Sequence, residues 1–303
     1  MAQLQLDKVS KAFGAVQAVR ELSFLVPQGS IYGLLGPNGA GKTTTIRMIM
    51  RIVLPDAGTI LLDGEAVDDL KRERIGYLPE ERGLYRKMQV LEHLAFLGEV
   101  RGLSRDEARK RARNWLERLG LADKASAKVE ALSKGMQQKV QFAAAVIHDP
   151  PLVILDEPFT GLDPIATRQF KDEILQMAKG GVTVLFSTHV LPQAEELCTH
   201  YCLINRGRAL FAGTAEEVRK RYAKPQLKLA TADGAPPPEN LPGVNQVEKR
   251  NGFYLLHLDG TLQAPQVVRE VANRCQVAAV EHYQPTLEEI FLRAVEEDHV
   301  SVA

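Results

Sequence analysis

Gly36-Pro37-Asn38-Gly39-Ala40-Gly41-Lys42-Thr43-Thr44 lies between an apolar run, Ile31 to Leu35, and a helical pattern that begins Lys42-Thr-Thr-Thr-Ile-Arg. The stretch fits G-x-x-x-x-G-K-[ST] in the strand–loop–helix setting that a phosphate-binding loop requires. Its glycines keep side chains out of the way, so successive backbone N–H groups can point at a polyphosphate, and the next helix adds its free amides and dipole. In that reading Lys42 reaches the β- and γ-phosphates and the Thr43 hydroxyl helps to hold Mg²⁺.

The 303 residues, 45% of them apolar, suit a main domain of ordinary size and a smaller second one. Acidic and basic side chains balance at 38 each, so no net field recruits nucleic acid or an anionic membrane, and no nucleic-acid partner is expected. The start, Met1-Ala-Gln-Leu-Gln-Leu-Asp, lacks a charged and apolar leader, which predicts a cytosolic chain. No stretch is long and apolar enough to span a bilayer, so any membrane spans must come from another polypeptide. Cys198, His200 and Cys202 cluster, but no second ligand pair follows at zinc spacing, and ordinary packing is the expectation.

Working outward, Leu4 to Val9 alternates as a half-buried strand and Gln17 to Val26 carries a second, with Phe13 at a turn between them and, on position alone, in the core. A helix is expected from Lys42 to Ile52, ended by Pro55, and a short strand at Gly58 to Asp63. Val90 to Lys124 reads as helical, with a capping box at Ser104-Arg-Asp-Glu and with Trp115 and Leu119 facing the core. Its alternating charges are those of a solvated face.

A helix over Lys134 to His148 then meets Asp149-Pro150-Pro151, and Leu152 to Leu155 is a short continuous apolar run, as for a strand buried on both faces. Helices near Ala166 to Lys179 and Gln193 to Leu197 alternate with strands at Val182 to Phe186 and Tyr201 to Phe211, which favours a largely parallel three-layer sheet. After a helix at Glu216 to Tyr222 the composition shifts at Lys224-Pro225. Strands at Gln226 to Ala230, around Phe253 and at Val277 to Val280, with helices at Ala264 to Arg274 and Thr286 to Glu297, predict a small α+β module containing a Pro-rich loop.

Asp156-Glu157 closes the buried strand, and the carboxyl end of a central strand is where open α/β sheets bind ligands. Asp156 is placed to hold Mg²⁺, directly or through water, and Glu157 is the candidate general base for an attacking water. Ser187-Thr188-His189 ends its own apolar run, so His189 should emerge at the same sheet edge.

With these residues assembled, the chain resembles an ABC-type ATPase subunit. Leu132-Ser133-Lys134-Gly135-Met136-Gln137-Gln138 is similar to the family's signature motif, followed by Leu155-Asp156-Glu157-Pro158 and Gly161-Leu162-Asp163-Pro164. The match runs across residues 1 to about 220. It implies an α/β P-loop NTPase with a mostly parallel central sheet, an antiparallel β subdomain and a helical subdomain over about 85–148 within residues 1–222, and an accessory α+β domain over 223–303.

The resemblance also implies roles. Phe13 becomes the aromatic that stacks on adenine, reversing the core preference. Ser133 and Gly135 would touch the γ-phosphate held by a second copy, Asp163 would help link the two sites, and the pair would bind head to tail with two ATP at the seam. Two departures stand out: Lys134 and Met136 replace the family's usual Gly and Gln, and Tyr77-Leu-Pro-Glu80-Glu81-Arg82 carries Glu80 where a Gln is usual. Glu80 could still meet Mg²⁺ or water.

The ending Tyr283-Gln-Pro-Thr-Leu-Glu-Glu-Ile-Phe-Leu and the loop after Tyr77 are similar to bacterial exporters of the sodium-efflux type, in which a separate permease supplies the spans. The expectation is an ATPase on the inner face of the membrane, held there by a permease. The alternatives are a soluble ABC ATPase acting on ribosomes or nucleic acid, which generally shows two ATPase domains, a coiled coil or zinc modules, and a nucleotide-gated subunit with little catalysis.

Overall fold

The computed structural model describes residues 3–81 and 83–302, with side chains described up to residue 298. The chain falls into two compact units, Met1–Ala215 with Ala294–Ala303, and Glu216–Arg293. The division precedes the composition shift at Lys224-Pro225 and places the helix before it with the smaller unit.

In the larger unit β1 (Leu4–Phe13) and β2 (Val16–Val26) form a hairpin, followed by β3 (Ile31–Leu35), α1 (Lys42–Ile49), β4 (Ala57–Leu62), β5 (Glu65–Ala66), α2 (Asp69–Glu73) and β6 (Ile75–Leu78). Three helices come next, α3 (Val90–Val100), α4 (Arg105–Arg118) and α5 (Lys134–Val146). The chain returns through β7 (Leu152–Asp156), α6 (Pro164–Lys179), β8 (Thr183–Thr188), α7 (Leu191–Leu197), β9 (His200–Asn205) and β10 (Arg208–Thr214).

One sheet runs β10-β9-β3-β8-β7-β6, parallel except for β10. A second, β2-β1-β4-β5, is antiparallel. Leu4, Leu6, Leu22 and Ile60 of the antiparallel sheet share one apolar cluster with Ile46 and Ile49 of α1 and with Leu34, Ile154 and Leu185 of the parallel sheet. The mixed architecture agrees with the expected fold class.

Three local details differ from expectation. β1 continues through Phe13, because the turn is made by Gly14 and Ala15 alone. α1 stops at Ile49, not Ile52, since Arg51 already lies in the left-handed region (φ 54°) before Pro55 is reached. The helical stretch is broken after Val100 by Gly102 (φ 88°), and Ser104 then caps α4 through the Glu107 N–H. Trp115 and Leu119 are buried, with Trp115 packed edge-on against Phe142.

Cys198 and Cys202 are core residues, and the Cys198 sulfur occupies the space a side chain at Gly33 would need. Among the described residues no three His, Cys, Asp or Glu side chains converge as metal ligands there or elsewhere.

The smaller unit contains α8 (Ala215–Tyr222), β11 (Gln226–Thr231), β12 (Val244–Arg250), β13 (Phe253–Leu258), α9 (Ala264–Arg274), β14 (Val277–His282) and the start of α10 (Leu287–Val302). Its antiparallel sheet, β12-β13-β11-β14, carries Leu227, Leu229 and Leu256 into a core shared with Val267 and Val271 of α9. β12 is additional to the expected strands: it is an edge strand whose Val-Asn-Gln-Val-Glu-Lys-Arg lacks an apolar face.

Candidate functional site

The loop between β3 and α1 owes its path to close packing. A Cβ at Gly36 would lie 2.2 Å from the Ile204 carbonyl oxygen, and one at Gly41 (φ 108°) 2.6 Å from that of Ala18. Gly207 N–H donates to Ala40 O at 2.9 Å and pins the β9–β10 turn to the loop. The first bond of α1 is Thr45 N–H to Gly41 O, no side chain caps the helix, and its first turn holds no acidic residue. The amides of Lys42, Thr43 and Thr44 therefore lack helical acceptors and face outward with the positive end of the helix dipole.

Lys42 is almost buried, and its Nζ donates to Gly36 O at 2.7 Å and Pro37 O at 3.2 Å while lying 3.8 Å from Glu157 Oε1. Burial lowers its pKa, and the carboxylates of Glu157, Asp156 and Glu80 oppose that shift. A positive charge is thus held by carbonyls that a phosphate could replace as its partner.

β7 and β8 are adjacent and in register, Asp156 opposite Ser187, so the two polar strand ends meet. The Ser187 hydroxyl donates to Asp156 Oδ1, and the Glu157 N–H is held by both Ser187 O (3.2 Å) and Oγ (3.3 Å). Glu157 adopts a left-handed backbone (φ 49°), strain of order 1 kcal/mol that recurs at functional positions. Its Oε1 accepts from the His189 backbone N–H at 3.1 Å and ring Nδ1 at 2.8 Å, and its Oε2 from the Thr188 hydroxyl at 3.3 Å.

These elements border one cavity of about 660 Å³, lined among others by Asn38, Gly39, Gly41, Lys42, Thr43, Thr44, Glu80, Glu157 and His189. Asp156 is fully buried and does not line it, but its carboxyl interacts with the hydroxyl of Thr43, which does. Burial pushes the Asp156 carboxyl up, the Ser187 and Thr43 hydroxyls pull it back, and the nearby carboxylates of Glu80 and Glu157 add to the rise.

The Asp156 Oδ2 atom is buried without a hydrogen-bond partner. An orphan oxygen on a carboxyl that feels the Thr43 hydroxyl and the Glu80 charge, both of them from residues lining the cavity, fits a divalent cation, which would repay its desolvation. Mg²⁺ takes one or two carboxylates and completes its shell with phosphates and water, so no closed cage of side chains is needed.

Other expected residues lie outside the cavity. Phe13 ends β1, half exposed (49%), with the Lys11 amine 5.6 Å from its ring; its cross-strand partner Val16 lines the cavity instead. Ser133 is exposed and caps α5 through the Met136 N–H, and Gly135 sits against Leu162 and Gly161. Asp163 is exposed and caps α6 through the Ala166 N–H at 2.8 Å, ahead of Pro164 at the first helical turn.

Val16, Arg20 and Arg206 also line the cavity, as no motif announced. Two glutamines of α5, Gln138 and Gln141, reach the loops behind the acidic residues, and only the spatial arrangement reveals them.

A sequence family described as "ABC transporter" matches residues 19–160, and one described as "ATP-binding protein DrrA1-3-like, C-terminal domain" matches residues 213–295. The chain is 37% identical to the uncharacterized ABC transporter ATP-binding protein YhaQ of Bacillus subtilis (strain 168), over 96% of this chain and 98% of that one. It is 41% identical to the Nod factor export ATP-binding protein I of Paraburkholderia xenovorans (strain LB400), covering 70% and 71% of the two chains. A solved structure described as an ATP binding subunit of an ABC transporter superposes with a TM-score of 0.68 at 33% identity, over 72% of this chain and 92% of that one.

Proposed function

Because the chain belongs to the ATP-binding proteins of ABC transporters, which hydrolyse ATP, we propose that it powers export through a separate membrane permease by ATP-driven pairing with a second copy. The observation that carries the reading is the convergence of Lys42, Glu157 and His189 on one cavity, next to the buried Asp156 and beside the open amides of α1.

In this mechanism the triphosphate binds against the amides of Gly39 to Thr44, and the Lys42 amine leaves the carbonyls of Gly36 and Pro37 for the β- and γ-phosphates. Pro37, Asn38 and Ala40 shape the same loop. Thr43, Asp156 and Glu80 would hold Mg²⁺, which when bound neutralises phosphate charge and orients the triphosphate. Glu157 takes the proton of the attacking water, and His189 keeps the carboxylate aimed at it through two hydrogen bonds. Phe13 stacks on the adenine once the hairpin tip closes over it.

The exposed cap of α5 supports the pairing. Ser133 and Gly135 stand outside this chain's own cavity, as residues must if they complete the site of a partner. Asp163, at the head of α6, would face the same seam. Among the described residues no helix is long and apolar enough to cross a membrane, which supports a permease on another chain and a place on the inner face of the membrane. The relative named for Nod factor export supports the exporter assignment.

The test is purification of the chain with the permease encoded beside it, followed by ATPase and vesicle transport assays. Mg²⁺-dependent turnover with no transport, and co-purification with ribosomes in place of a permease, would favour the soluble alternative.

A further inference from the structure

α5 presents two amide side chains to loops at the floor of the nucleotide cavity. Gln138 and Gln141 are only 3% and 5% exposed. The Gln141 amide nitrogen donates to Pro79 O and to Glu81 O, both at 3.1 Å, and that of Gln138 donates to Pro158 O at 3.2 Å. The first two carbonyls bracket Glu80, which lines the cavity; the third follows Glu157.

Pro79 has no N–H, and β6 is the edge strand of its sheet and ends at Leu78, so the chain on either side of Glu80 leaves the ladder at once. An amide has two N–H groups, and both are used on this one loop. The Gln141 Oε1 atom meanwhile is buried with no partner. A residue that accepts an unsatisfied oxygen while using both donors is kept at that position for its donors. Leucine would fill the same volume without the orphan.

We infer that Gln141 is a positioning residue that fixes where Glu80 stands in the cavity, so that Glu80 moves with α5, the helix that begins at Ser133. The inference rests on the reading of this cavity as the nucleotide site. Holding both neighbouring carbonyls fixes the Cα of Glu80, and its carboxylate then reaches the phosphate side of the cavity only for one placement of α5. Gln138 applies the same tether beside Glu157. A displacement of Ser133 by a partner's nucleotide would therefore be felt at both carboxylates through one rigid helix.

The test uses the purified full chain and two variants, Gln141→Leu and Gln141→Met, the second in case the first does not fold. Without nucleotide, the ¹⁵N relaxation order parameters of the Glu80 and Glu81 amides should fall from about 0.85 to below about 0.6, because the flanking carbonyls lose their tether, and should stay unchanged in β7. The Mg²⁺ concentration for half-maximal turnover should rise about tenfold with the KM for ATP within about twofold, because the two bonds lost both act on the single loop that carries Glu80. In the Glu80→Ala background, Gln141→Leu should produce no further shift in the Mg²⁺ requirement.

Unchanged order parameters at Glu80 and Glu81 would overturn the inference whatever the protein hydrolyses. So would additive effects of the two substitutions, or a loss of turnover that simply follows a lowered melting temperature. Failure of the nucleotide reading itself would appear separately, as wild-type protein that binds no ATP and is indifferent to Lys42→Ala.

Discussion

Glu157 Oε1 accepts two hydrogen bonds from His189, one from its backbone at 3.1 Å and one from its ring Nδ1 at 2.8 Å. A carboxylate can only accept, so a ring proton sits on Nδ1 of this cavity-lining histidine. The general base is thus oriented before any substrate arrives.

Glu157→Gln should lower turnover by about 10²–10⁴-fold while ATP binding persists, since a base is removed and the phosphate contacts are not. ATP should then accumulate a dimer, read by light scattering with and without nucleotide. Wild-type turnover in this variant would remove Glu157 as the base. His189→Ala keeps the backbone donor, so its loss should be smaller, about 10–100-fold in kcat with little change in KM.

Gly41→Ala places a Cβ 2.6 Å from the Ala18 carbonyl in a backbone conformation (φ 108°) that L side chains rarely adopt. The expected cost is of order 1–3 kcal/mol in denaturant unfolding, with ATP affinity falling in parallel as the loop moves off β2. Gly39→Ala, with nothing within 4 Å of the new Cβ, carries conformational strain alone and should cost less.

Acid should destabilise the fold through His93, which is fully buried and whose ring nitrogens have no hydrogen-bond partner. Burial lowers its pKa from 6.5 to about 4. The unfolded chain takes up a proton below about pH 6.5 that the folded chain refuses until about pH 4, so acidification through this window favours unfolding. At pH 5 the linkage amounts to about 2 kcal/mol, from about 1.4 kcal/mol per unit over about 1.5 units. His148 shifts the same way, chiefly by burial. Urea midpoints at pH 7 and pH 5, in wild type and His93→Leu, would show the variant with the shallower loss.

Mg²⁺ binding should be more acid-sensitive than an exposed carboxylate would make it. Burial raises the Asp156 pKa, so a proton competes for its orphan oxygen at a higher pH than usual. The Mg²⁺ requirement for nucleotide binding should climb on acidification, and Asp156→Asn should remove that dependence along with most of the affinity.

Much of this site was legible because its parts are local. The phosphate loop is one contiguous stretch, and Asp156-Glu157 and Ser187-Thr188-His189 each follow an apolar run whose end had to lie at the sheet edge. What escaped depends on tertiary neighbours. Gln141 stands 60 residues from Glu81, and no periodicity distinguishes it from any polar helical residue. β12 exists because β13 offers it a ladder, not because its own residues alternate. The resemblance gives Ser133 a role at a second copy's γ-phosphate and Asp163 a role in linking the two sites, and the structure adds that each also caps its own helix.

The carbonyls of Gly36 and Pro37 take the place of phosphate oxygens as acceptors for the Lys42 amine. The amine is therefore already held beside the open amides of α1, and phosphate capture at this loop is a swap of partners with no folding step. Variation in affinity among loop variants should then appear almost wholly in how fast the nucleotide departs.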